Sequence, residues 1–230
     1  MSTFTPKPVE FKFGEYINKG FELFKKDMGT FILAFLFVLI MNFIPFCGFL
    51  AIGNFLKIAR KINHGEQTSA TEIFNFDDFI VYLKLFGIVF LGVLAFEIPL
   101  ILLMPKPEQQ ELGSSPEFPI GFFIFMIVFM VILFYFILKA YYMLGLIALE
   151  NVKSIKEAWR ISNIMTKDNL LIIFGFSFVV GLIAMIGYIA CFIGLFISAP
   201  LTYAIQYISY EDGIQQIKVD ELEEIGKPTE

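Results

Sequence analysis

The sequence has very little of what metal centres and many catalytic sites are built from. It contains one histidine, His64, and two cysteines, Cys47 and Cys191, among 230 residues. A site that needs two or more histidine ligands, or a cluster of cysteine ligands, is therefore excluded. The sequence also lacks a glycine-rich phosphate loop, a paired-glycine dinucleotide fingerprint and a nucleophile elbow. We expect the protein not to be an enzyme and to use no metal or other cofactor.

Charged residues are scarce as well, at 17% of the chain, whereas soluble domains are about a quarter charged. Hydrophobic residues make up 57%, thirty residues are phenylalanine, and the mean hydropathy is +0.75. Several apolar runs reach or approach the ~20 residues that cross the hydrocarbon core of a bilayer. The composition therefore predicts an all-α, polytopic membrane helix bundle. The first 27 residues are polar and lack the apolar core of a secretory signal peptide, so we expect the spans themselves to direct insertion.

Four apolar runs predict six membrane-spanning helices. The runs 79–104 and 120–149 each predict one span, and the run 169–208 predicts two because about forty residues are too many for one crossing. The run 28–56 would make a helix about 43 Å long. Pro45 lies within it, and proline breaks helices because it lacks a backbone donor and clashes with the preceding turn. We therefore expect this run to fold back near Pro45 as a hairpin.

The distribution of lysine predicts the orientation of these spans. Lysines cluster within 1–28, before the first apolar run, and again within 57–79, directly after it. A single crossing would separate the two clusters, against the positive-inside rule, whereas a hairpin places both in the cytoplasm. With six spans, Lys106 is the one outer residue among the 17 lysines and arginines. We expect both termini to face the cytoplasm, in a bacterial inner membrane; a shallow re-entrant first hairpin would keep the same sidedness.

Three amphipathic stretches indicate an internal repeat. In 13–28 the apolar residues mostly share one helical face, and the stretches that begin at Ser69 and Ser154 have the S-x-x-E spacing of a capping box. We predict three hairpins, each preceded by a cytoplasmic interfacial helix. The acidic end of the chain is either a solvated tail or a short docking helix for a partner. The predicted boundaries are a single membrane domain at 1–210, with units at 10–62, 69–149 and 154–209, and an acidic cytoplasmic tail at 211–230.

Four segments carry a family resemblance: FKFGEYINKGFELFKKDMGTFILA, GNFLKIARKINHGE, AWRISNIMTKDN and APLTYAIQYISYED. They resemble a bacterial, largely Bacteroidota-type family of six-span integral membrane proteins of unknown function. The chain is similar as well to the membrane domain fused to some glycerophosphodiester phosphodiesterases, although the catalytic domain of those enzymes is not part of the resemblance. The resemblance implies a membrane architecture and no catalytic chemistry.

A few polar residues in or near the spans are candidate sites. Glu97 is a carboxylate inside an apolar run, where ionisable side chains often mark function, but its position along the helix places it near the outer interface. Lys84 and Lys139 fall near the inner interface, where they either snorkel to the headgroups or share a basic pocket for an anionic lipid headgroup. Cys47 and Cys191 lie near the outer tips of their hairpins and are either a disulfide or buried free thiols.

These features predict a non-enzymatic accessory or scaffold subunit of a larger inner-membrane protein complex, such as one for protein secretion or membrane insertion. The apolar runs contain no continuous polar path, and the outer loops are short except for 105–119. The alternative is a lipid or small-molecule membrane transporter that uses Glu97, Lys84 and Lys139 as its polar groups. Expected partners are membrane lipids and another membrane protein, with no nucleic acid.

Overall fold

A computed structural model describes residues 9–104, 118–189 and 194–218, and within these ranges the chain is helical and contains no β-strand. The all-α prediction is therefore confirmed. In chain order the elements are α1 (Phe13–Lys26), α2 (Met28–Asn42), α3 (Gly48–His64), a 3-10 helix (Ala70–Phe74), α4 (Phe79–Leu103), α5 (Ile120–Lys139), α6 (Met143–Leu149), α7 (Ile155–Met165), α8 (Leu170–Ile189) and α9 (Leu195–Ile217).

Three helical segments are long and apolar enough to cross a membrane, and they are Phe79–Leu103, Ile120–Leu149 and Leu170–Ile189. They make the chain compatible with membrane insertion. The helix Met28–Asn42 is also apolar but has only 15 residues. The structure thus supports three candidate spans among the described residues, and the arrangement of six spans in three hairpins stays a prediction.

The first apolar run is divided around Pro45. Helix α2 begins after Asp27, whose carboxylate accepts a hydrogen bond from the Thr30 N–H at 3.0 Å, and it ends at Asn42, before the proline. Helix α3 begins at Gly48. Between the two helices Phe46 has a positive φ of 68°, which turns the chain so that α3 packs against α2. The break that the proline predicts is therefore present.

The second long segment, predicted as one span over 120–149, is one candidate span and contains a turn near its end. Helix α5 ends at Lys139 and α6 begins at Met143, with a turn between them. The buried Ser162 of α7 stabilises this turn, because its Oγ donates to the Lys139 carbonyl at 2.6 Å and accepts from the Tyr142 N–H at 3.3 Å. The turn directs α6 into the protein core, where it packs against α3.

The amphipathic stretches form two α-helices, α1 and α7, and one much shorter element. Ser154 caps α7 by accepting from the Glu157 N–H at 3.4 Å. The stretch that begins at Ser69 forms only the five-residue 3-10 helix. The buried Asn54 of α3 holds the end of that helix, since its amide donates to the Ile73 carbonyl at 3.0 Å and the Asn75 carbonyl at 2.7 Å.

The core lies where α1, α2, α3, α6 and α9 pack together. Helix α1 presents its apolar face to α9, and Gly20 permits the close approach because a Cβ at this position would overlap Ile205. Gly145 of α6 permits a similar approach to the ring of Tyr210 on α9. The apolar face of α1 is therefore buried against other helices of the protein.

Helices α4 and α5 together form what we call the apolar arm. They pack on each other through Phe96, whose ring stacks on Phe129 with centroids 3.8 Å apart and on Phe125 at 5.6 Å. The described residues of α5 include no buried side chain, and α4 is buried only near its start, at Val81, Tyr82 and Leu85. The arm therefore exposes a large apolar surface beyond the core.

Candidate functional site

The most extensive polar arrangement is an ion-paired base, formed where the end of α3 meets the 3-10 helix, the starts of α4 and α7, and the end of α9. At its centre Arg60 Nη2 lies 2.9 Å from a carboxylate oxygen of Glu150 and 2.9 Å from one of Glu211. Arg60 Nη1 also donates to the Leu149 carbonyl at 2.9 Å. Lys218 lies 2.8 Å from the second oxygen of Glu150. These bonds join α3, the segment after α6 and α9.

The opposite charges of this network stabilise the ionised form of each group. Burial alone would lower the pKa of the Arg60 guanidinium, but the hydrogen bonds and charges of Glu150 and Glu211 outweigh it and raise that pKa. Burial likewise opposes ionisation of Glu150, yet Lys218 and Arg60 outweigh it and lower the pKa of this carboxyl. Both groups therefore stay ionised at neutral pH. Breaking a buried pair of this kind is costly because it leaves an uncompensated charge.

A second cluster surrounds Asp78, which is 5% exposed and lies just before α4. Lys57 Nζ of α3 lies 2.6 Å from one carboxylate oxygen, and Lys153, just before α7, binds the other. Burial would raise the pKa of Asp78, but the two lysines outweigh it and lower that pKa. Two lysines on one carboxylate leave a net charge of +1. The cluster therefore holds three helices together and keeps an excess of positive charge.

Acids near the end of the chain complete the base. Helix α9 continues to Ile217, so Glu211 and Asp212, which the sequence grouped with an acidic tail, lie within this helix. The Tyr16 hydroxyl of α1 donates to Asp212 at 2.7 Å, and Lys12 Nζ lies 3.2 Å from the same carboxylate. Burial, helped by Asp212, raises the pKa of the Tyr16 hydroxyl, which remains the donor. The rest of the predicted tail, 219–230, lies outside the described residues.

From the sequence, these cations were predicted only as charges of inner segments, and their ion pairs were not predicted. Their spacing was the available signal, because Lys57, Arg60 and Lys61 lie at i, i+3 and i+4 and share one end of a helix. Each of the three binds an acid from a different segment, and Lys61 lies 2.8 Å from Glu72 of the 3-10 helix. The spacing of neighbouring residues does not indicate which acids these three cations bind.

Glu97, Lys84, Lys139 and Cys47 form none of the ion pairs that build the base within the described residues. Glu97 is exposed on the apolar arm, next to the stacked Phe96. Cys47 is buried at the start of α3, and Cys191 lies outside the described residues, so both alternatives, a disulfide and buried free thiols, stay predictions. Lys139 is half-buried at the end of α5, and Lys84 is exposed near the start of α4.

Lys84 lines an open groove of about 880 Å³ between α4 and the start of α7. It shares this groove with Lys153 and not with Lys139, the lysine predicted to share a basic pocket with it. One wall is the α4 face, and the other is the segment around Ser154. The lining residues are Lys84, Gly87, Ile88, Phe90, Leu91, Lys153, Ser154 and Ile155.

A smaller cavity of about 50 Å³ lies inside the core, between α3, α6 and α9. Tyr141, Tyr142, Tyr210 and Gln206 contribute its polar side chains. A space of this size, with several polar groups around it, has room for one or a few water molecules. It is too small for a metabolite or a lipid.

Over the ranges that the structure describes, no group of three or more His, Cys, Asp or Glu side chains could hold a metal ion. Comparison with known proteins adds no assignment: no protein-family model matches the chain, and no curated protein or solved structure shows significant similarity to it. The features of the protein that bear on its function are therefore the ion-paired base, the groove and the apolar arm.

Proposed function

We propose that the protein is a non-enzymatic accessory or scaffold subunit of a larger inner-membrane protein complex, and that the apolar arm is the surface that contacts a membrane partner. The observation that carries this proposal is the exposure of the arm. Side chains such as Leu102, at 79% exposed, and Ile127, at 65%, face away from the protein along two adjacent helices. In a bilayer, such helices gain stability by packing against other helices.

The ion-paired base, next to the start of α4, supports the same proposal. Arg60 and Asp78 form ion pairs between helices that are far apart in sequence, and these ion pairs fix the positions of the helices relative to one another. A rigid base with an extended apolar arm suits a protein that positions a partner. The buried ion pairs of the base join one helix to another. The described residues of the apolar arm form no continuous polar path along it.

The proposed topology has six spans in three hairpins, with both termini and the ion-paired base on the cytoplasmic side of a bacterial inner membrane. The placement of lysine in the sequence supports this sidedness. Helix α2, with 15 residues, is about 22 Å long, which is shorter than a hydrocarbon core of about 30 Å. This length supports the re-entrant form of the first hairpin.

Site-specific photocrosslinking in cells, at native expression, tests the scaffold proposal. A photoreactive residue at Ile127 should give one discrete crosslinked protein that also co-purifies with the unmodified chain in mild detergent. The same residue at Arg160, which is exposed on α7, is the matched control and should not give that product. A chain that purifies as a monomer, with crosslinks only to lipid from Ile127, would contradict the proposal.

The second candidate is a lipid carrier, which the groove beside Lys84 favours. Movement of a fluorescent phospholipid between the leaflets of reconstituted vesicles distinguishes the two functions. A scaffold should leave this rate equal to that of protein-free vesicles. A faster rate that falls with Glu97→Gln or Lys84→Gln would favour the carrier.

A further inference from the structure

The groove between α4 and the start of α7 has the chemistry of a phospholipid site. We propose that it binds one anionic phospholipid, with the phosphate between Lys84 and Lys153 and an acyl chain along Gly87, Ile88 and Leu91. This inference goes beyond the scaffold proposal and does not depend on it. It requires only that the start of α4 meets the headgroup region of a membrane.

Charge is the first argument for this ligand. Lys153 shares the buried carboxylate of Asp78 with Lys57, so this cluster carries a net charge of +1. Lys84 forms no ion pair with any described residue, and it adds a second positive charge to the same groove. The nearby Asp77 binds the amide of Asn75 at 2.9 Å and does not line the groove. The groove thus offers uncompensated positive charge to an anion.

The order of the residues along α4 is the second argument. Lys84, Gly87, Ile88 and Leu91 follow the i, i+3, i+4, i+7 spacing of one helical face. Leu91 lies about 10 Å further along the helix than Lys84. Ile88 is 55% exposed and Leu91 is 66% exposed, so the apolar part of this face is accessible. A charged end that continues into an apolar surface matches a phosphate that continues into an acyl chain.

Gly87 supplies the space for that chain. A Cβ at this position would meet no atom within 4 Å, so the surface of α4 is open here between Lys84 and the larger side chains beyond. An acidic protein segment would satisfy the lysines but would leave the apolar face uncovered. A phospholipid satisfies both, which is why we assign the groove to a lipid.

Native mass spectrometry of the full chain in detergent tests the charge. We expect one tightly retained molecule of phosphatidylglycerol and weaker retention of phosphatidylcholine. Lys84→Gln should weaken phosphatidylglycerol binding about fivefold, because one lysine near an anionic surface has about this effect. Lys156→Gln is the matched control, since Lys156 is exposed on α7 outside the groove, and it should change binding little. Equal retention of the two lipids, or equal effects of the two variants, would overturn the proposal.

A second pair of variants tests the shape without changing the charge. Gly87→Leu places a large side chain in this open part of the groove and should lower phosphatidylglycerol binding at least as much as Lys84→Gln does. The helix itself tolerates this change, because leucine favours helix far more than glycine does. Gly181→Leu on α8 is the control, since a Cβ there also meets open space but lies outside the groove. Unchanged binding by Gly87→Leu would show that the lipid does not occupy this groove.

Discussion

Arg60 on α3 and Glu211 on α9 lie 2.9 Å apart although 151 positions separate them in the chain. The same guanidinium group reaches Glu150, so one side chain joins three distant parts of the sequence. All three side chains are less than a quarter exposed. This arrangement places the end of α3 at the centre of the ion-paired base and makes Arg60 the residue on which its geometry depends most.

Replacing Arg60 should therefore destabilise the fold. Arg60→Met would leave Glu150 and Glu211 facing each other without their shared cation, and we expect the free energy of unfolding to fall by about 3 kcal/mol. Chemical unfolding in detergent micelles, followed by circular dichroism, measures this change. Arg160→Met is the control, because Arg160 pairs with Glu157 on the surface of α7 and should change stability little. Similar losses for both variants would contradict a central role for Arg60.

Lowering the pH should weaken the ion pairs of the ion-paired base and so destabilise the fold. The pKa values of Glu150 and Asp78 are lowered from their ordinary values of 4.5 and 3.8 in the folded protein. Groups of this kind stabilise the fold above their ordinary pKa, and the stability is lost as the pH falls through the lowered pKa. We expect the free energy of unfolding to decrease steeply below about pH 4.5. The slope should be smaller in Glu150→Gln and unchanged in Glu22→Gln, an exposed carboxyl on α1; equal slopes in all three proteins would refute this assignment.

Two glycines of α1 should respond oppositely to the same substitution. A Cβ at Gly20 would overlap the backbone and side chain of Ile205, whereas a Cβ at Gly14 meets nothing within 4 Å. Gly20→Ala should therefore lower the free energy of unfolding by about 1–3 kcal/mol through overpacking. Gly14→Ala should leave stability unchanged or raise it, because alanine favours helix. Thermal unfolding and limited proteolysis of α1 would check both, and a stable Gly20→Ala variant would argue against close packing of α1 on α9.

The proposed topology makes a direct prediction for reporter fusions. A reporter placed after Glu66 should be cytoplasmic, as should one placed after residue 5, because the first hairpin returns the chain to its starting side. A reporter within 105–119 is the control and should be periplasmic. Paired alkaline phosphatase and green fluorescent protein fusions measure this. A periplasmic reporter after Glu66 would exclude the six-span arrangement.

The sequence alone was sufficient for features that depend on neighbouring residues. Hydropathy over windows of about 20 residues indicates the long apolar helices. Pro45 predicts the end of α2, and the S-x-x-E spacing at Ser154 predicts the start of α7, because the responsible groups lie within one helical turn of each other. The sequence also predicted that Lys84 lies near the start of its helix, which is where the groove lies.

The tertiary structure decided which distant groups meet. The turn after Lys139 depends on Ser162 of another helix. Lys84 and Lys153 line one groove because of how α7 lies against α4. Arg60 has acids available in several segments, and only the packing of α3 on α9 selects Glu211. Hydropathy and helical periodicity describe what each segment buries. Ion pairs and grooves between segments form only after the helices have packed, so their partners cannot be identified from either segment alone.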